Sequence, residues 1–450
     1  MSQIVSPEIG AQEEPRPPIR PRDPWLWCLA IPAVFAAIAA IRLAIPSAPV
    51  FDEVHYLPAA REWLTLLDEQ VGVYRNPEHP PLGKQLIAAG IHLFGDSPIG
   101  WRVMSLLAGT IALAASMRAL WQASHDRFAT IAFGMLLATG FHLFIHARIA
   151  MLDIFMAAFL AIATWLFVGA IRKPETGRWR LALCGIAVGA ALASKWSAVP
   201  LAMAFGLTFF AARLSAGRRR LVTSTRGWPV PGISLIEAVL WLGLVPLAVY
   251  SATYTPAYWL GGPLQSSPFG ENGLIGQHKE MLELQGSVVA PHNYQSTWPQ
   301  WMLNTRGIWY FYEKVDGAQR GVMLIGNPLT MLLGLPALLW CLASGVWRTN
   351  WAQLGVVIGY AVTLGLWLIA PKPVQFYYHY FLPSFFLLAA LALTLSDLAK
   401  REAMESRPYI SYSVIVASVA VFAVFFPILS AGTLEGQDSF AYWVWIEGWR

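Results

Sequence analysis

Apolar runs of about twenty residues recur along this chain, and they leave it one kind of place to fold. A helix rises ~1.5 Å per residue, so about 20 apolar residues cross the ~30 Å hydrocarbon core of a bilayer. The runs fall at approximately 25–45, 99–121, 128–146, 149–171, 181–194, 197–213, 235–252, 322–344, 353–370, 376–396 and 409–430. The fifth and sixth are separated only by Ser194-Lys195-Trp196 and read either as two short tilted helices or as one broken segment. Inside hydrocarbon, only helices and closed barrels satisfy every backbone N–H and C=O. The predicted class is therefore an all-α polytopic membrane protein with about 11 transmembrane helices. Charge agrees: 13% of the 450 residues are charged, against about 25% in soluble domains.

Lys and Arg in the connections set the predicted orientation. One side carries Arg172, Lys173, Arg178 and Arg180, then Arg213, Arg218, Arg219, Arg220 and Arg226, then Arg348, then Lys400, Arg401 and Arg407. That side is expected to be cytoplasmic, together with a basic, proline-rich, disordered tail over 1–23. The net charge of +5 thus reads as a topology signal, with no nucleic acid as partner. Cys28, Cys184 and Cys341 each lie in an apolar run, far apart. Neither a disulfide framework nor a metal spacing follows from them.

A single transmembrane domain, 24–431, is expected, with outer loops at 46–98 and 253–321 and a periplasmic C-terminal tail at 432–450. In the first loop Tyr56, Ala60, Trp63, Leu64 and Leu67 recur at helical spacing. They predict an amphipathic surface helix with Trp63 as an interfacial anchor.

The strongly polar residues beside hydrocarbon gather on that outer side. Asp52 and Glu53 follow the first run, and Arg102 opens the second. His146, Arg148 and Asp153 bracket the third turn, and Lys195 divides the fifth and sixth runs. Lys372, Tyr377, Tyr378, His379 and Tyr380 lie before the tenth. A charge dragged to mid-bilayer costs roughly 2.5–3.5 kcal/mol on insertion scales, so this convergence suggests one pocket at the outer leaflet. Acids and cations together suit a sugar donor joined through phosphate to a lipid. Its leaving group is a stable anion that needs positive charge and no proton. The acceptor hydroxyl needs one general base. A glycosidase would need a second, protonated carboxyl. His142 and His146 are four apart, half of a metal site, but nothing at helical spacing completes it, and packing or hydrogen bonding is the adopted reading.

Phe51-Asp52-Glu53-Val54-His55-Tyr56, His79-Pro80-Pro81-Leu82-Gly83-Lys84, Arg148-Ile149-Ala150-Met151-Leu152-Asp153, Ser194-Lys195-Trp196 and Tyr377-Tyr378-His379-Tyr380-Phe381-Leu382-Pro383 resemble the protein O-mannosyltransferase family, in order, over about 40–430. His292-Asn293-Tyr294-Gln295-Ser296-Thr297-Trp298-Pro299 resembles that family's loop after the seventh helix. The loop 253–321 is too short for the soluble β-trefoil domain of eukaryotic members, so the likeness is to the bacterial type. The resemblance implies a C-type membrane glycosyltransferase fold. It implies inverting transfer of mannose from a polyprenyl-phosphate-mannose donor to Ser or Thr of a protein, in the cell membrane. No cofactor is required, and a divalent cation is the lesser alternative. Asp52 matches the family's catalytic acid residue and Glu53 its neighbour, the latter read equally as acceptor binding or as a structural hydrogen-bond partner. Lys84, Arg102, Lys195 and His379 are expected at the donor phosphate. His55, His79, Arg148, Asp153 and Tyr378 are expected along the substrates; Arg148 and Asp153 alternatively pair with each other. A related transferase acting on lipid A, a polysaccharide or another lipid is the second reading. A lipid transporter or flippase is the third.

Overall fold

The protein is described by a computed structural model covering residues 21–66, 74–216, 221–259, 273–287, 289–370, 372–405 and 409–450. Most of the expected basic tail, with Leu67, Arg218, Arg219, Arg220 and Arg407, lies outside these residues.

The apolar runs become helices where the sequence placed them. They are α1 (Trp27–Ala40), α4 (Pro98–Ser124), α5 (Arg127–Ala138), α6 (Phe141–His146), α7 (Leu152–Arg172), α8 (Gly177–Ser194) and α9 (Val199–Ala216). Next come α10 (Leu235–Val239) and α11 (Val245–Ala252), joined by a π-helical stretch at Leu240–Leu244. α15 (Pro328–Trp347), α16 (Trp351–Ile369), α17 (Phe381–Met404) and α18 (Tyr409–Leu429) complete the bundle. Eight helical stretches among the described residues are long and apolar enough to cross a membrane. The Ser194-Lys195-Trp196 segment breaks α8 from α9 with an extended Lys195, so the two-helix alternative holds.

Polar residues start several helices. Ser97 caps α4, with Pro98 at its first position, and Asp126 caps α5 by accepting from Ala129 N–H at 2.9 Å. These satisfy backbone donors that have no intrahelical partner. At this basic end of the bundle, ion pairs tie neighbours: Arg118 with Asp23, Arg178 with Glu237 and Lys400 with Asp126.

The opposite end carries the connecting loops. α2 (Glu53–Thr65) and α3 (Leu82–Phe94) fill the first. α2 is the expected surface helix, but Trp63 is buried and meets the edge of Tyr74 at 5.9 Å. It packs inward and is no interfacial anchor. The second loop holds α12 (Thr255–Trp259), α13 (Leu274–Ser287) and α14 (Trp298–Met302). α13 crosses to the first loop: Gln277 and Gln285 donate to the carbonyls of Pro77 and Glu78.

The all-α expectation fails at one place. β1 (Ile308–Val315) and β2 (Ala318–Leu324) form an antiparallel hairpin. Asp316 and Gly317 turn it with φ of 53° and 75°, the double left-handed geometry that Asp-Gly accepts. The apolar residues at 322–324 are thus strand, and the eighth long helix starts six residues later than expected, at Pro328. The register shifts between Trp309 and Phe311, leaving Tyr310 as the extra residue of a bulge, a device that bends a strand and re-aims a side chain.

The C-terminal stretch is folded against this hairpin. Leu434 bridges to Gln319, Trp309 donates to the carbonyl of Trp449, and Trp449 donates to that of Asn304 at 2.7 Å. Trp449 is buried. Replacing it by Ala is expected to cost about 3–5 kcal/mol, read as a lowered midpoint in thermal or denaturant unfolding of the detergent-solubilised protein; an unchanged midpoint would show that this stretch is not integral.

Candidate active site

Glu53 opens α2 and is completely enclosed. Its Oε2 accepts the Val50 N–H at 2.7 Å and its Oε1 the Ala150 N–H at 2.7 Å. Arg102 adds a two-pronged contact at 2.8 and 2.7 Å. The remaining guanidinium protons of Arg102 go to the carbonyls of Leu43, Pro46 and Ala48. All five of its N–H groups are in use. Arg148 is likewise occupied, by the carbonyls of Ala39, Ile41, Arg42 and Ser430. All five Arg102 donors are engaged, Arg148 bonds to carbonyls and not to Asp153, and Glu53 accepts four hydrogen bonds from its surroundings. Together they pin the 39–50 segment to α4 and to the turn at 147–151.

Lys84 is also bonded to nearby backbone. Its Nζ is buried and donates to the carbonyls of Asn76 at 2.6 Å and His79 at 2.8 Å, beneath the Tyr74 ring at 5.0 Å. Burial pushes its pKa down to about 7, and a neutral amine still has two N–H groups for those carbonyls. These bonds tie Lys84 to the turn that carries Asn76 and His79.

With Glu53 fixed, Asp52 is aimed the other way. Phe51 before it takes a φ of 52°, a left-handed conformation strained for an aromatic residue. Its ring stacks on Tyr310 at 4.2 Å and meets Tyr378 edge-on at 5.8 Å. The half-buried Asp52 carboxylate accepts from the Tyr56 hydroxyl at 3.1 Å. Burial raises its pKa, opposed by the positive charge of Lys195 and reinforced by Asp153.

Asp153 and Lys195 meet as a buried ion pair at 2.7 Å, and the Lys195 ammonium lies 5.1 Å over the Tyr378 ring. Lys372 approaches the same group. Its pKa is brought down to about 8, by burial first and then by Lys195, against the opposing charges of Asp52 and Asp153. His79 faces these cations too. Burial and the charges of Lys195, Lys84 and Lys372 hold its pKa well below the usual histidine range, so it is neutral. His379 receives the Phe376 N–H on Nδ1 at 3.0 Å and stacks on Trp367 at 3.7 Å; that bond leaves its proton on Nε2. His55 is exposed on the first turn of α2, where its charge lowers the Asp52 pKa.

The structure therefore brings together Asp52, Asp153, Lys195 and Tyr378, with His55, His79 and His379 around them. Glu53 and Arg102 bond to each other and to backbone, and Lys84 and Arg148 bond to backbone carbonyls. Lys372 gained its place from the fold, and two residues were missed. Tyr56 sits one helical turn after Asp52, a spacing readable in the sequence. Tyr310 comes from the bulge, and the Asp316-Gly317 turn between apolar runs was the available sign of a hairpin. His146 donates its Nδ1–H to the carbonyl of His142 (2.7 Å), which leaves Nε2 to accept from the Tyr310 hydroxyl at 3.4 Å. Among the described residues no three His, Cys, Asp or Glu side chains group to hold a metal ion.

A helical membrane bundle with carboxylates and lysines enclosed under its loops is the architecture of a C-type membrane glycosyltransferase. Its fold matches the Saccharomyces cerevisiae protein O-mannosyltransferase Pmt1-Pmt2 complex bound to the sugar donor, with a TM-score of 0.75 at 15% identity over 94% of this chain and 92% of that one. It also matches ArnT from Cupriavidus metallidurans bound to undecaprenyl phosphate, with a TM-score of 0.54 at 16% identity over 94% and 75%. The family description "Dolichyl-phosphate-mannose-protein mannosyltransferase" fits residues 78–242, and "C-terminal four TMM region of protein-O-mannosyltransferase" fits 272–449. Similar full-length relatives are the polyprenol-phosphate-mannose–protein mannosyltransferases of Corynebacterium glutamicum, 29% identical over 96% of both chains, and Mycobacterium tuberculosis, 27% identical over 89% and 87%. The chain belongs to the protein O-mannosyltransferase family.

If Glu53 and Arg102 form the framework, removing one partner is worse than removing both. Arg102→Met is expected to destabilise by about 3–5 kcal/mol by leaving a buried, unpaired carboxylate, and adding Glu53→Gln to recover part of that loss. Thermal unfolding of the single and double variants measures the coupling; additive losses would contradict it.

Proposed function

We propose that this protein is an inverting glycosyltransferase that moves mannose from a polyprenyl-phosphate-mannose donor to Ser or Thr hydroxyls of proteins. The basic end of the bundle faces the cytoplasm in this reading, and the Asp52 end lies at the outer face of the cell membrane. The observation that carries it is the half-buried Asp52 carboxylate, held by Tyr56 and facing two lysines.

The acceptor hydroxyl loses its proton to Asp52 as its oxygen attacks the anomeric carbon from the side opposite the phosphate. The bond from that carbon to the phosphate oxygen breaks, and the polyprenyl phosphate leaves with the electron pair. Lys195 and Lys372 meet the charge that develops on it, and the Nε2–H of His379 and the neutral His79 supply hydrogen bonds. Asp153 holds Lys195 in place and, with Tyr378, walls the sugar. The raised Asp52 pKa has a use: a carboxylate out of water is a stronger base than a free one. Tyr310 and Phe51 close the site on the hairpin side. The relatives' names support the donor and the protein acceptor.

The test is purified protein with mannosyl-phospho-polyprenol, offered a Ser/Thr peptide and a lipid acceptor in parallel. Transfer to the peptide is expected; transfer only to the lipid would move the chain to the second reading. Asp52→Asn should lower kcat by about 10²–10⁴-fold while donor still binds. Unchanged turnover would remove Asp52 as the base.

The pH profile follows from the same groups. Protonated Asp52 cannot accept a proton, so the rate falls as pH drops through a pKa above the ordinary 3.8. Lys372 loses its charge as pH rises through about 8, so the donor KM rises there. Lys372→Gln should abolish that alkaline limb and leave the acid limb in place. With lysines meeting the leaving phosphate, activity is expected to persist in chelator, and strict dependence on an added divalent ion would count against this clamp.

A further inference from the structure

Phe51 holds a backbone position that suits glycine. The Glu53 N–H bonds back to the Val50 carbonyl at 3.0 Å, so residues 50–53 form a four-residue turn. Phe51 is its first central residue, with a φ of 52°, and Asp52 follows with φ −65° and ψ −7°. A positive φ at that position is the province of Gly, Asn and Asp. A bulky residue stays there only where its surroundings over-determine it. Much of that surrounding comes from the hairpin.

β1 and β2 grip residues 47–51 at two points. At the tip, the Asp316 carboxylate accepts the Ser47 N–H at 2.9 Å and the Ser47 hydroxyl at 2.6 Å. At the bulge, the Tyr310 ring lies flat on Phe51, 4.2 Å away with 16° between the planes. Tyr310 is itself anchored. Its hydroxyl donates to His146 Nε2 at 3.4 Å, and the His146 ring stacks on Phe381 at 4.3 Å. The hairpin is also seated closely on its other side. A Cβ on Gly321 would come within 2.8 Å of Ile428 on α18, and Arg320 donates to the Ala431 carbonyl at 2.9 Å. Opposite the hairpin, Glu53 holds the Val50 N–H and Arg102 the carbonyls of Pro46 and Ala48. The segment that presents Asp52 is thus clamped from two sides, and the hairpin is the side stacked on Phe51.

Tyr310 lies close to the carboxylates of the site: burial first, then Asp153, Tyr378 and Asp52, push its hydroxyl pKa well up. The groups that act on Asp52 are Lys195, Asp153, Tyr56 and His55, and Lys372 faces it in turn. None of these lies on the hairpin, which therefore acts on Asp52 by position and by cover. We propose that Tyr310 and Asp316 are positioning residues: by gripping Phe51 and Ser47, the hairpin sets where the Asp52 carboxylate meets the acceptor hydroxyl. This role presupposes Asp52 as the base and adds the distant residues that place it.

Steady-state kinetics of the full chain with mannosyl-phospho-polyprenol and a Ser/Thr peptide, across pH, tests this. Tyr310→Leu removes the stacked ring and its anchor. It should lower kcat by about 10–10²-fold with the donor KM little changed, the pattern of a misplaced base rather than of lost donor binding. Tyr310→Phe keeps the ring on Phe51 and should recover most of that turnover. With the ring gone, water reaches Asp52 and its raised pKa falls back toward 3.8, so the acid limb of the profile moves to lower pH. A residue that served folding alone would leave that limb in place. Asp316→Gly is the second variant, at the exposed tip of the hairpin. Glycine accepts the φ of 53° there, so the turn is kept while both bonds to Ser47 are deleted. It should lower kcat by about 3–10-fold, again with the donor KM little changed. An acid limb that does not move in Tyr310→Leu, or full turnover in Asp316→Gly, would overturn the proposal. Full turnover in Asp52→Asn would instead remove the base itself, so the two failures are told apart.

Discussion

The buried pair of Glu53 and Arg102 is the constraint on which the rest of the site depends. Enclosed charges are tolerated only with every oxygen and proton engaged, and here the carboxylate takes four hydrogen bonds while the guanidinium gives five. That demand fixes the chain around it. Residues 43–48 must turn their carbonyls toward Arg102, and Val50 and Ala150 must turn their amides toward Glu53. Two adjacent residues at the start of a helix then point apart, and Asp52 is delivered to the opposite side. Adjacent acids thus divide the labour, one building the frame and one remaining free to titrate.

Much of the bundle was legible because a bilayer reduces the problem to length and hydropathy. Runs of about twenty apolar residues have one stable solution there, and α4, α7, α16, α18 and the break at Lys195 follow the sequence closely. The hairpin escaped that rule. The apolar residues at 322–324 continue into an apolar helix, so composition does not mark where strand ends, and only the Asp316-Gly317 turn separates the two readings.

The site was legible as a set of residues and not as a set of roles. Proximity to one membrane face identified Asp52, Asp153, Lys195 and Tyr378 and equally identified Arg102, Arg148 and Lys84. Sequence carries charge but not the count of carbonyls around it, and those carbonyls decide which cations are already satisfied. Asp153 with Lys195 shows the same limit. Their partners come from the starts and ends of different helices, whereas the nearer pairing of Asp153 with Arg148 is what spacing alone suggests.

Tyr310 reaches the neighbourhood of the Asp52 carboxylate from more than half a chain away, and Tyr378 from farther still. A ribosome feeding this protein into the membrane therefore emits Asp52 long before the aromatic walls that shut its chamber. Until the hairpin docks on Phe51, that side of the Asp52 site lacks its aromatic wall. The aromatic residues that border Asp52, Tyr310 and Tyr378, thus come from the final third of the polypeptide.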